Sequence, residues 1–153
     1  MYKKSIYNLL ILSLLTSCYN QERTCKDFKT GKFTSETIID GKKYTEKAFM
    51  ITVANAAQLG YNFKIAPIAI LNDGIFDIVV IKKHPKILSG IIGLQGFTDS
   101  ILKNRYVLHF QGKQVKLIQK DNTTMQLDGD AIDCEKGEIC IEMKSKSILL
   151  LCP

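Results

Sequence analysis

The sequence predicts a mainly β fold with one helix, arranged as a β-sandwich or barrel. From residue 105 onward, β-prone segments recur about every 8–12 residues with turn residues between them, a spacing typical of sandwiches and barrels. Residues 75–81 are rich in β-branched side chains and predict a strong strand earlier in the chain. Apolar residues in the segment 85–103 repeat at helical spacing and predict the one helix.

The predicted strands begin within a polar tether, residues 18–42, which contains one short strand near residues 33–39. The run 49–54 lacks strict alternation and predicts a strand buried on both faces. Pro67 ends the next strand, and the turn signal Asn72-Asp73-Gly74 precedes the strand that follows it. The remaining predicted strands are 61–66, 75–81, 106–110, 115–119, 123–127, 139–143 and 147–151.

The predicted helix has one favourable and one unfavourable feature. Pro85 suits its first turn, where a backbone N–H has no intrahelical partner. Gly90, Gly93 and Gly96 each weaken a helix interior by about 1 kcal/mol relative to Ala. The segment therefore predicts a helix that is apolar on one side and weak in intrinsic propensity.

Length and composition limit the classes of protein. The chain has 153 residues, 46% of them hydrophobic, and a formal net charge of +6, with a mean hydropathy of +0.02. This composition excludes disordered, collagen-like and coiled-coil chains, and a two-domain nucleotide-dependent enzyme usually needs about 250 residues or more. No run of five like charges occurs, so no nucleic-acid-binding tail is indicated. The basic balance predicts either a solvated surface or weak attraction to anionic lipid headgroups.

The first residues are typical of an export signal. Lys3 and Lys4 precede an apolar run, residues 9–15, which is too short to span a bilayer. The following Leu15-Thr16-Ser17-Cys18 resembles the lipobox of bacterial lipoproteins, in which the cysteine is lipidated. An ordinary signal peptide or an apolar helix is the alternative. The expected organisation is a lipoprotein signal peptide at 1–17, the tether at 18–42 and one domain at 43–153.

The cysteines and histidines give no metal pattern. An exported chain allows disulfides, and Cys134 and Cys140 flank residues 135–139, which predict a hairpin turn across which a bridge is geometrically feasible. No CxxC pair occurs, so a zinc site is not indicated. His84 and His109 are the only histidines and are predicted to be surface or strand residues.

Several short motifs between residues 47 and 82, with a later one near residue 129, carry a resemblance to a known family. They are Val53-Ala54-Asn55 with Gly60 nearby, Ile65-Ala66-Pro67, Leu71-x-Asp73-Gly74-x-x-Asp77 and Asp128-Gly129-Asp130. Over roughly residues 40–153 the chain resembles the C-terminal domain of bacterial diacylglycerol kinases and of related sphingosine and lipid kinases. The resemblance implies a two-sheet β-sandwich that binds a diacylglycerol-like lipid.

The resemblance also implies a metal site. Asp73 would supply a carboxylate, and the backbone carbonyls of Ile70 and Ile75 would lie beside it, which is an all-oxygen set that suits Mg²⁺. The alternative is that Asp73-Gly74 only closes a tight turn, with Asp73 hydrogen-bonded to its own backbone.

A catalytic base is implied at Asp130, where the family has a glutamate that deprotonates the lipid hydroxyl. Aspartate is one methylene shorter, and a displacement of about 1 Å costs on the order of a hundredfold in rate. Asp128 would be a supporting carboxylate. The alternative is a polar hairpin turn, because Asp-Gly is a common hairpin signal.

The departures from the family bear on activity. The sequence has no Gly-Gly-Asp-Gly-Thr nucleotide loop, and Gly60-Tyr61-Asn62 replaces the family's glycine triplet. Phosphoryl transfer depends on positioning the phosphates, so the chain is expected to be inactive alone and to use ATP only if a nucleotide-binding domain is supplied in trans. The front end, residues 1 to about 38, resembles a lipoprotein leader of the Bacteroidota type. The alternative function is therefore a membrane-anchored lipoprotein with a lipid-binding sandwich and no catalysis.

Overall fold

The computed structural model describes residues 33–120, 123–127 and 130–144. Their elements follow the order of a mainly β chain with one α-helix, which confirms the predicted fold class. The strands and the helix are β1 (Phe33–Ile39), β2 (Lys42–Ala54), β3 (Gln58–Gly60), β4 (Phe63–Lys64), β5 (Phe76–Lys82), α1 (Lys86–Phe97), β6 (Val107–Gly112), β7 (Gln114–Gln119), β8 (Thr123–Leu127), β9 (Asp130–Cys134) and β10 (Gly137–Glu142). A short 3₁₀ helix, Ile101–Lys103, follows α1.

The long strand β2 connects two halves of a six-stranded sheet whose order is β10-β7-β1-β2-β5-β6. Residues 42–48 of β2 pair with β1, whereas residues 48–54 pair with β5. The register shifts between Ala48 and Met50, and such a bulge bends a strand and changes which side chains share a face. The bend lets one continuous strand serve both halves of a sandwich-like arrangement.

The interior of the sandwich is an apolar cluster drawn from both halves. Ile78 and Val80 of β5 pack in the same cluster as Leu117 of β7 and Ile141 of β10. Met125 of the separate hairpin β8–β9 packs against this cluster. Because strand side chains alternate between faces, the odd-numbered residues of β5 point to the opposite side of the sheet.

That opposite side carries a second cluster under α1 and the small hairpin β3–β4. Val79 and Ile81 of β5 pack there with Ile65, Ala66 and Ile92. All five side chains are buried. The helix is therefore held on the sheet by one side only.

Local differences from the predicted elements have identifiable causes. The predicted strand 61–66 is instead the end of hairpin β3–β4, because Tyr61 and Asn62 both have positive φ and form its two-residue turn. The predicted helix 85–103 is broken at Asp99, which has φ 56°, before the 3₁₀ helix. The strand expected near 33–39 is present as β1, and it lies inside the sheet between β7 and β2. Strand β9 had no sequence prediction, and the predicted strand 147–151 lies outside the described residues.

Cys134 and Cys140 are free thiols, so the disulfide that their spacing allows is not formed. In the described part of the chain, no helix has the length and apolar character needed to cross a membrane.

Candidate functional site

Three separate motifs of the sequence meet at one end of the sheet. In the register of β2 and β5, Ala54 lies opposite Asp77, and in that of β5 and β6, Asp77 lies opposite Gln111. Antiparallel pairing thus places Val53-Ala54-Asn55 beside the last residue of the Asp73–Asp77 motif. Ile65 and Ala66, from the third motif, are fully buried in the same cluster as Ala54.

Asp77 is the buried charged centre of this end of the sheet. Its side chain is 1% exposed, and its Oδ1 lies 2.6 Å from His109 Nε2. Gln111 Nε2 donates a second hydrogen bond to the same oxygen at 3.1 Å. An ionised carboxylate only accepts hydrogen bonds, so Nε2 of His109 carries the proton. The histidine side chain is 21% exposed, and this pair connects a buried carboxylate to the surface.

The second oxygen of Asp77 is buried and has no hydrogen-bond partner among the described residues. Thr52 Oγ1, on the neighbouring strand, is in the same condition. A buried acceptor without a partner costs about 1–3 kcal/mol. Both atoms lie on the side of the sheet that packs under α1, because Thr52 pairs with Val79 in the register of β2 and β5.

Asp73 lies in the exposed turn that leads into β5. Its Oδ1 accepts a hydrogen bond from the backbone N–H of Ile75 at 2.9 Å, which is the Asx turn expected of Asp before Gly. The hydrogen bond orients the carboxylate toward the backbone N–H of Ile75. Ile70 is exposed on the same loop. Asp73 therefore closes a turn by hydrogen bonding to its own backbone segment, as one of the two hypotheses expects. Its role as a metal ligand stays a prediction.

Asp130 lies at the start of β9, opposite Leu127 of β8, and its side chain is exposed. It stands on a hairpin that is separate from the sheet that holds Asp77. Asp128, the other predicted catalytic residue, and Cys18, the predicted lipidation site, lie outside the described residues. The assigned roles of all three stay predictions.

Within the described ranges, no group of three or more His, Cys, Asp or Glu side chains could hold a metal ion. A metal at Asp73 would depend on backbone carbonyls for its other protein ligands. His109 is a strand residue, as predicted, but its pairing with Asp77 was not predicted. The two residues are 32 positions apart, and only their strand pairing brings them together.

The six-stranded sheet, its helix and the separate hairpin β8–β9 form a mainly β, sandwich-like domain. Residues 15–143 match the family model described as "YegS C-terminal NAD kinase beta sandwich-like domain". The chain belongs to this family, the C-terminal domain of YegS and diacylglycerol kinases.

Solved structures of similar fold come from proteins described as diacylglycerol kinases of Bacillus anthracis str. Sterne. One has a TM-score of 0.56 and 20% identity, with 88% of this chain and 50% of that chain covered. A second has a TM-score of 0.53 and 20% identity, with 75% and 42% covered. A third has a TM-score of 0.52 and 22% identity, with 76% and 38% covered. The chain therefore spans half or less of each of these proteins, and no curated protein matches it.

Proposed function

We propose that this chain is the lipid-binding half of an ATP-dependent lipid phosphotransferase of the diacylglycerol kinase type. The observation that carries the proposal is the assembly of its motif residues at one end of the sheet, where Ala54 lies opposite Asp77 and the Asp73 turn leads into the same strand. Family membership supplies the reaction class. The lipid hydroxyl attacks the γ-phosphoryl group of ATP, the bond to ADP breaks, and the hydroxyl proton leaves to a base.

Asp130 is the proposed base. Its carboxylate is exposed at the start of β9, and an exposed carboxylate is able to accept the hydroxyl proton. Asp128 would support it from the same hairpin. Met125 of the same hairpin packs against the apolar cluster of the sandwich interior. This contact attaches the hairpin that carries the base to the rest of the domain.

Mg²⁺ is the proposed cofactor, and Asp73 with the carbonyls of Ile70 and Ile75 would hold it. The donor set fits, because all three ligands are oxygens and both Asp73 and Ile70 are exposed, so that the ion can keep the waters it normally retains. When bound, the ion supplies positive charge for the transferring phosphate. The Asx hydrogen bond from Ile75 keeps the Asp73 carboxylate in place.

Catalysis would require a second half. The sequence contains no glycine-rich Gly-Gly-Asp-Gly-Thr loop, and phosphoryl transfer depends on groups that position the nucleotide phosphates. The chain alone is therefore proposed to be inactive. The partner would be a nucleotide-binding domain of the same kinase family, acting in trans.

The test is a phosphorylation assay with radiolabelled ATP, Mg²⁺ and diacylglycerol in mixed micelles. The chain alone should give no labelled lipid, whereas the chain with the nucleotide-binding half of a related diacylglycerol kinase should. Lipid phosphorylation by the chain alone would contradict the requirement for a second half. Failure in every combination would contradict the kinase role.

Two substitutions refine this assay. Asp130→Asn should lower the rate of the combined halves by about 10²–10⁴-fold, which is the usual contribution of a general base. Asp133→Asn is the matched control, since Asp133 is an exposed aspartate on the same strand. Equal rates for the two variants would remove Asp130 from the mechanism.

The metal proposal has its own readout. Mn²⁺, used as a paramagnetic substitute for Mg²⁺, should broaden the backbone amide signals of residues 70–75 in the NMR spectrum of the wild-type chain. The broadening should disappear in Asp73→Asn and persist in Asp99→Asn, which alters an exposed aspartate elsewhere. Broadening that is unchanged in Asp73→Asn would contradict the site.

A second candidate function follows from the leader. Leu15-Thr16-Ser17-Cys18 supports a membrane-anchored lipoprotein whose sandwich binds lipid without catalysis. Mass spectrometry of the protein from a bacterial host should then find diacylglyceryl modification of a new N-terminal Cys18. An unmodified Met1 terminus in the cytoplasm would instead agree with the kinase proposal, in which the leader is not used.

A further inference from the structure

The outer side of α1 is an apolar stripe whose large side chains are more than half exposed. Ile87, Ile91, Leu94 and Phe97 are 84%, 51%, 69% and 54% exposed. Their spacing of four, three and three residues puts them on one side of the helix. Ile92 and Gly96, which are buried, lie on the other side and hold the helix to the sheet. At Ile87, Ile91 and Leu94 the exposed stripe is thus distinct from the side that packs on the sheet, whereas the Phe97 ring also lies edge-on to Phe63.

A basic pocket lies at the N-terminal end of this helix. Its cavity of about 480 Å³ is lined by Lys47, Lys82, Lys83 and Arg105, together with Glu46 and Tyr106. The lining thus contains four basic side chains and one acidic side chain. Arg105 is held in place because its guanidinium lies 4.9 Å from the centre of the Tyr106 ring and donates to the Tyr106 hydroxyl at 3.0 Å.

His84 connects the pocket to the helix. Its Nδ1 donates to the Lys82 carbonyl at 2.9 Å, which leaves Nε2 to accept from the Ser89 hydroxyl in α1, also at 2.9 Å. The same ring lies 6.1 Å from the ring of Tyr106, a residue of the pocket. His84 therefore connects the pocket to the first turns of the helix, where Lys86 directly precedes Ile87, the first residue of the stripe.

The charged residues near the stripe and the pocket indicate which kind of ligand this part of the domain would bind. No acidic residue occurs between Asp77 and Asp99, whereas Lys82, Lys83 and Lys86 lie in that interval. The four large side chains of the stripe have no polar atoms, although protein interfaces normally carry about one hydrogen bond per 100–200 Å². An apolar helix face beside clustered Lys and Arg is the pattern of segments that lie in an anionic membrane interface.

We propose that α1 and the basic pocket form a face that docks on an anionic lipid bilayer. The stripe enters the boundary between headgroups and acyl chains, about 5–10 Å deep, while Lys83 and Arg105 bind headgroup phosphates. This contact is independent of Cys18 and deepens the proposed function, because it brings the domain to the membrane that holds its lipid. The helix is 12 residues long, or about 18 Å, and lies parallel to the surface.

The first test uses the absence of tryptophan from the chain. Leu94→Trp places a single fluorophore on the stripe of the full-length protein, and Ile132→Trp places one at an exposed aliphatic position on β9. Vesicles of phosphatidylglycerol and phosphatidylcholine, with neither diacylglycerol nor ATP, should shift the emission of the Leu94→Trp variant to the blue, and brominated acyl chains should quench it. The Ile132→Trp control should show neither effect. Equal behaviour of the two variants, or no effect on either, would overturn the proposal.

The second test separates charge from apolar contact. Lys83→Gln and Arg105→Gln should each weaken binding to anionic vesicles about fivefold, whereas Lys42→Gln, the same charge change at an exposed site on β2, should not. Equal binding to purely zwitterionic vesicles would overturn the headgroup contact. A blue shift of the Leu94→Trp variant on adding a nucleotide-binding half without vesicles would make the stripe a domain interface instead. Insertion without lipid phosphorylation would support this face and count only against the kinase role.

Discussion

His109 Nε2 lies 2.6 Å from Asp77 Oδ1, across the neighbouring strands β6 and β5. The aspartate is almost completely buried, whereas the histidine reaches the surface. Breaking a buried pair from one side leaves a charge without compensation, and this is more destabilising than replacing both partners by apolar groups. The pair is therefore a sensitive point for the stability of the domain.

Removal of the histidine alone should be costly. His109→Ala leaves the Asp77 carboxylate with only the Gln111 hydrogen bond, and we expect a loss of about 3 kcal/mol in the free energy of unfolding. Urea denaturation followed by far-UV circular dichroism measures this loss. The double variant Asp77→Leu/His109→Leu should lose less than the sum of its two single variants, since neither partner is then left buried alone. Additive losses would show that the two side chains do not interact.

The glycines of α1 should differ sharply in their response to alanine. A Cβ on Gly96 would overlap the ring of Phe63, which packs edge-on against Phe97, so Gly96→Ala should destabilise the domain by about 1–3 kcal/mol. Gly90→Ala is the matched control, since a Cβ there meets nothing, and it should stabilise the helix by up to about 1 kcal/mol. Thermal unfolding of both variants tests this. A stabilised Gly96→Ala protein would mean that Phe63 moves aside at little cost.

The two described cysteines should react at different rates with alkylating reagents. Burial raises the pKa of the Cys134 thiol above its ordinary value, and the nearby Asp133 carboxylate adds to the shift, whereas Cys140 is exposed. Because the thiolate is the nucleophile, iodoacetamide at neutral pH should modify Cys140 first. Peptide mapping by mass spectrometry at short times measures the order, and denatured protein should show no such preference. Faster reaction at Cys134 would contradict the assigned burial.

An ion pair between β1 and β2 gives a prediction about pH. Lys43 donates to Glu36 at 2.8 Å, and this hydrogen bond and the lysine charge lower the pKa of the Glu36 carboxyl below its ordinary 4.5. A carboxyl whose pKa is lowered by folding contributes stability above its unfolded pKa and loses it as the pH falls through the folded pKa. Lys43→Gln should therefore raise the pKa of Glu36, as measured by NMR titration.

The same pair supplies its own control. Lys120 Nζ lies 3.9 Å from the other oxygen of Glu36 and contributes less to the lowered pKa, so Lys120→Gln should raise that pKa by less. The difference in melting temperature between wild type and Lys43→Gln should be present near pH 7 and shrink in acid below about pH 4.5. A difference that persists at low pH would assign the effect to packing of the lysine stem.

Local sequence patterns anticipated many of the elements but not the contacts between them. The β-branched run of β5 and the apolar spacing of α1 are short-range signals, so both elements were predicted. The sequence predicts a strand at Tyr61-Asn62, because tyrosine favours strands. In the structure both residues have positive φ and form a turn, and this conformation depends on the hairpin around them. Strand β9 was missed because its exposed, mixed residues lack the alternation that marks a half-buried strand.

The sequence by itself determined the mainly β class, the Asp73–Gly74 turn and the family, because these depend on residues close together in the chain. The tertiary structure alone decided that Asp77 and His109 form a pair and that β2 serves two halves of the sheet. It also decided which side of α1 packs and which side is exposed. Each of these depends on strand register or on the docking of a helix, and both are set by the joint burial of residues distant in sequence.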